Sequence, residues 1–176
     1  RTVWLSLAIT LALGGCATPP AAPEPVAAVQ AESDRATRLA ALYEQWFEEG
    51  LKLNPLQATQ IGDPRYNDQL PNLLSPEYRA ALNAYNTRYL QAAEAIGADG
   101  LSGQDLLSYE LFVRDRKMDL EEAQYPRHLA PLNQFYSFAN QFAVLGAGTT
   151  AQPFKTVQDY DNWLRRGPGF PARGFR

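Results

Sequence analysis

Leu53-Asn54-Pro55-Leu56-Gln57-Ala58-Thr59-Gln60-Ile61-Gly62-Asp63 reads as a helix stop, a restart and a second stop. Asn54 suits the cap of a new turn, and Pro55 suits its first helical position, where the missing N–H would have had no partner. Gly62 supplies the left-handed residue that ends a short helix. Asp63 then leads into Pro64-Arg65-Tyr66-Asn67-Asp68, a loop rich in Asp, Asn and Pro. The stretch predicts a tight helix–helix corner, with Asn54, Pro55, Gly62 and Asp63 as its structural signature.

Helical spacing continues on both sides of this corner. Upstream, from Ser33 or Asp34 to Leu53, apolar residues fall at Leu39, Leu42, Tyr43, Trp46, Phe47 and Leu53, with Arg38, Glu44, Glu48 and Glu49 on the other side. Downstream, Ser75-Pro76-Glu77 opens a helix with the stripe Tyr78, Leu82, Tyr85, Tyr89, Ala92 and Ile96, closed by Gly97. Ser102-Gly103-Gln104-Asp105 opens a third helix, close to a capping box, that runs to about Gln124 before Tyr125-Pro126 stops it. Phe135 to Leu145 fits a helix or a buried strand. Thr156-Val157-Gln158-Asp159 caps a last helix carrying Tyr160, Trp163 and Leu164. No stretch alternates with period two for long, so the expected fold is all-α, an antiparallel helical bundle. The aromatic residues Tyr85, Tyr89, Phe135 and Phe142 look short of partners, which predicts a poorly stable chain.

The first residues have a different character. Val3 to Leu13 is an apolar run behind Arg1, too short for the ~20 residues that a spanning helix needs. It fits the core of a secretory signal. Leu13-Gly14-Gly15-Cys16 resembles the bacterial lipobox, which makes Cys16 the expected lipid-bearing residue and the membrane the expected partner. Residues 1–15 are then a lipoprotein signal peptide. Residues 16–32, rich in Pro and Ala, are a flexible linker that holds residues 33–166 off the membrane. The sorting pattern after Cys16, with no Asp behind it, resembles that of outer-membrane lipoproteins facing the periplasm.

Composition excludes several functions. The net charge is −3 with both signs scattered, so nothing marks a nucleic-acid surface. One cysteine and one histidine (His128) rule out a disulfide framework and the common Cys/His zinc sites within this chain. Gly146-Ala147-Gly148-Thr149-Thr150-Ala151 matches the dinucleotide fingerprint G-x-G-x-x-A, but Gln152-Pro153 follows at once, where a helix would have to open. His128 and Ser137 are a nominal base and nucleophile with nothing to orient them. The adjacent acids Glu48-Glu49 and Glu121-Glu122 do not face one another on a helix and read as solvated surface. No catalytic or metal-binding residue is expected.

Taken in order, several segments resemble the bacterial family called domain of unknown function 885. They are Trp46, Leu53-Asn54-Pro55-Leu56, Gly62-Asp63, Tyr66-Asn67-Asp68-Gln69-Leu70-Pro71, Leu106-Leu107-Ser108-Tyr109-Glu110-Leu111, His128-Leu129-Ala130-Pro131-Leu132-Asn133-Gln134 and Tyr160-Asp161-Asn162-Trp163-Leu164-Arg165-Arg166. That family is longer and resembles gluzincin-type metallopeptidases, in which an HExxH helix and a downstream glutamate bind zinc. None of those residues is present here. The resemblance therefore implies an N-terminal helical region, inactive alone, that packs beside a C-terminal catalytic region acting on peptides and walls its substrate cleft. The rival expectation is a non-enzymatic envelope lipoprotein that binds a partner or ligand. The tail 167–176 departs from the expected helical text, which suggests a truncated or frame-shifted product.

Overall fold

The computed structural model describes residues 26–129 and 137–169. Cys16, the signal segment, Phe135 and the end of the tail lie outside them. Six α-helices form the described part: α1 Val26–Leu53, α2 Pro55–Gln60, α3 Pro76–Ile96, α4 Gly103–Glu122, α5 Phe138–Gly146 and α6 Val157–Arg166. The fold is all-α. The Phe135–Leu145 ambiguity resolves as helix from Phe138 onward, with Ser137 Oγ accepting from Asn140 N at 3.4 Å.

The helix starts follow local cap chemistry. Ser75 accepts from Tyr78 N, and Thr156 and Asp159 form a reciprocal capping box at α6. Two starts differ from expectation. Helix α1 begins at Val26 rather than Ser33, so the second half of the expected linker is helical. Past Pro25 the text Val26-Ala27-Ala28-Val29-Gln30-Ala31-Glu32 holds no breaker and is rich in alanine, the best helix former. Ser102 makes no cap bond; its hydroxyl donates to Glu32 Oε1 at 2.7 Å and ties the start of α4 to the upstream part of α1.

Long-range contacts set the helix directions. Arg35 Nε donates to Ile96 O, Tyr85 Oη donates to Trp46 O, and Arg88 pairs with Glu49, so α3 runs antiparallel to α1. Against α4 the order is reversed. Glu32 meets Ser102, Tyr43 meets Phe112 with ring centroids 4.8 Å apart, and Trp46 lies under Arg116, so α4 runs parallel to α1. Leu39 and Leu51 of α1 and Tyr85, Tyr89 and Ala93 of α3 are buried. Gly50 permits the close approach of α3, because a Cβ there would stand 2.8 Å from Tyr85 Oη. Tyr85 and Tyr89 pack edge to face at 5.0 Å, and Phe142 stacks on Trp163 at 4.5 Å. These three aromatics therefore find partners within the chain, contrary to the expectation from sequence.

Candidate functional site

The corner has the local structure that its residues dictate. Asn54 Oδ1 accepts from Gln57 N, Pro55 stands in the first turn of α2, and Gly62 has φ 85° just past the helix end. Asp63 caps a 3-10 turn over Pro64–Tyr66 by accepting from Arg65 N. Arg65 also bridges Asp63 at 2.6 Å and Glu48 at 2.8 Å, and its guanidinium holds both carboxyls below the usual carboxylate range. These pairs are exposed, so they orient the loop more than they stabilise it.

What locks the corner is a residue far away in sequence. Arg166, in the last turn of α6, is fully buried. Its Nε donates to Gln69 O at 3.1 Å and its Nη1 to Gln152 Oε1 at 2.6 Å. Its Nη2 donates to Thr59 Oγ1 and to Tyr66 O, both at 2.8 Å. Thr59 in turn donates to Asn67 Oδ1 at 2.8 Å. The acceptors are neutral, and burial pulls the Arg166 guanidinium down to about 10, which leaves it charged at neutral pH. A buried cation is tolerated because its fork finds oxygens in several directions at once.

The same framework leaves a cleft of about 720 Å³ between α1, α3, the end of α4 and the 3-10 turn Arg127–Leu129. Trp46, Tyr78 and Tyr85 supply aromatic wall, and Asn86, Arg116 and His128 supply polar lining. Burial pushes the Tyr78 and Tyr85 phenols up, so they remain protonated donors. Arg116 is 8% exposed and lies 4.6 Å over the Trp46 ring. Its Nε and Nη2 both donate to Asp119 Oδ2, at 3.1 and 2.8 Å. Arg127 pairs with Glu122 at 2.6 Å.

The sequence candidates for chemistry do not assemble. His128 lines the cleft, whereas the Ser137 hydroxyl serves as the cap of α5. The Gly146–Ala151 segment follows a helix, and no helix opens until Val157, so it lacks the strand–turn–helix setting of a phosphate loop. Its neighbour Gln152 is instead buried as a partner of Arg166. Asp119 and Glu122 are the carboxylates of the cleft among the described residues, and each already holds an arginine. Among the described residues no group of three or more His, Cys, Asp or Glu is placed to hold a metal ion. Sequence reasoning missed Arg166, Arg116 and Asn86, whose roles depend on contacts between distant elements.

Comparison with known proteins gives one result. Residues 55–173 match the family model described as "Bacterial protein of unknown function (DUF885)". The match begins at the corner proline and extends past Arg166 into the Gly/Pro-rich tail, beyond the boundary expected from sequence. No curated protein and no solved structure matches the chain. The match spans well over half of the 176 residues, and this chain belongs to the DUF885 family of bacterial proteins.

Proposed function

We propose that this chain is the helical N-terminal region of a lipid-anchored envelope protein of metallopeptidase type, and that it carries and walls a cleft without cutting bonds itself. The observation behind the non-catalytic part is the state of the cleft's acids. Asp119 and Glu122 are neutralised by Arg116 and Arg127, so neither is placed to hold a metal or to activate water. Zinc, if the family's resemblance to metallopeptidases extends to this protein, would be held by residues outside this chain. The Leu13-Gly14-Gly15-Cys16 text supports anchoring through Cys16, at the outer membrane facing the periplasm. Several acyl chains on one residue hold firmly, at ~0.8 kcal/mol per buried methylene.

The alternative, a self-sufficient binding lipoprotein, draws support from the cleft's size and its mixed lining. One set of measurements addresses both readings. The chain expressed with its leader in a Gram-negative host should carry a lipid mass that the Cys16→Ser variant lacks. The purified protein should hold no stoichiometric zinc and leave a mixed peptide library uncut. Zinc at one equivalent together with peptide cleavage would overturn the non-catalytic reading, and an unmodified Cys16 would overturn the anchor.

A further inference from the structure

The cleft between α1, α3 and α4 is lined by polar groups that the described residues leave open to it. Asn86, in the middle of α3, is 6% exposed and lines the cleft. Its side-chain amide makes no hydrogen bond among the described residues and is open to the cleft. Arg116, in the same lining, is nine-tenths buried, and its Nε and Nη2 bonds to Asp119 leave Nη1 without a hydrogen-bond partner among the described residues. Neither atom is sealed from solvent, so both face the open cleft, where a ligand can take the place of solvent as their partner.

The chemistry of those groups selects the ligand. Arginine offers donors alone, and asparagine offers two donors beside its one carbonyl. Among the described lining residues, three arginines (Arg79, Arg116, Arg127) stand against two carboxylates (Asp119, Glu122), so the balance is positive. The rest of the wall is aromatic, with the Trp46 and Tyr78 rings facing a volume of about 720 Å³, ample for a small organic molecule. We propose that this cleft binds a carboxylate carried on a flat apolar body, with the carboxylate against Asn86 and Arg116 and the body against Trp46 and Tyr78. The inference stands on the cleft's own donors and is independent of any peptidase reading. A free organic acid and the C-terminus of a peptide share this chemistry.

The test uses the whole chain and three probes: N-acetylphenylalanine, its carboxamide, and a blocked tripeptide ending in free phenylalanine. The sequence holds three tryptophans, so the Trp46 indole N–H resonance is identified by its loss in Trp46→Phe. It should shift saturably with the carboxylate probes and at least tenfold more weakly with the carboxamide. Asn86→Asp, nearly isosteric but negatively charged, should weaken binding at least tenfold while the far-ultraviolet circular dichroism is kept. If that variant fails to fold, Asn83→Asp at the exposed mouth of the same cleft should weaken binding several-fold. Tighter binding of the tripeptide identifies a peptide terminus as the source, and equal binding a free acid. No saturable shift with either acid, or equal affinity for acid and carboxamide, overturns the proposal. So does retained affinity in the folded aspartate variant.

Discussion

Replacing Arg166 with methionine is expected to cost about 3 kcal/mol or more, because each buried acceptor left without its donor costs about 1–3 kcal/mol. Methionine keeps much of the volume, so the effect isolates the hydrogen bonds. It strands Gln152 Oε1 and Thr59 Oγ1 in the interior and removes the donor from the partly buried Gln69 and Tyr66 carbonyls. Arg166→Lys should recover little. An ammonium on a flexible stem cannot reach Gln152, Gln69 and Thr59 from a single nitrogen in the way a planar fork does. Urea unfolding of the three proteins measures this directly. With a total stability of about 5–15 kcal/mol for a domain, the methionine variant should be near its unfolding threshold at room temperature. A midpoint within error of the parent would mean that α6 is not held by this residue.

The second large effect is expected at Leu51, which is 1% exposed in the last turn of α1. Leu51→Ala should lose about 2–5 kcal/mol, the range for a buried leucine whose cavity collapses only in part. Leu164→Ala provides the contrast. Leu164 belongs to the apolar set that sequence assigns to the last helix, yet it is 71% exposed, and its truncation should change stability by less than about 0.5 kcal/mol. Thermal melts of the pair separate a position that faces the interior from one that shares its residue type but not its surroundings. Equal losses at Leu51 and Leu164 would contradict the packing described above.

That contrast also shows what the sequence could and could not disclose. Helix starts at Ser75 and Thr156, and the capped corner at Asn54-Pro55, were legible because cap chemistry acts within three or four residues. The start of α1 was not. No capping residue marks it, and an alanine-rich text after Pro25 is compatible with a spacer or a helix until something packs against it. Ser102 carried the right letter for a cap, but Glu32 lies 70 residues away and takes its hydroxyl. Arg166 was hidden for the same reason. An arginine in the last turn of a helix ordinarily complements the helix dipole at the surface, and nothing local indicates that Thr59, 107 residues earlier, will bury it. The cleft was equally silent, since Asn86 sits one residue from the tyrosine stripe and reads as ordinary helix text. His128, the residue that attracts attention in the sequence, lines the cleft with no orienting partner among the described residues.

The structural account turns on the corner at Leu53–Asp63 and the distant helix end forming one unit. A double-mutant cycle tests that unity. Arg166→Met and Thr59→Val, alone and together, should couple by about 1–3 kcal/mol in urea unfolding, because each removes one end of the same buried hydrogen bond. Losses that simply add, to within about 0.5 kcal/mol, would show that α6 and the corner fold without reference to each other.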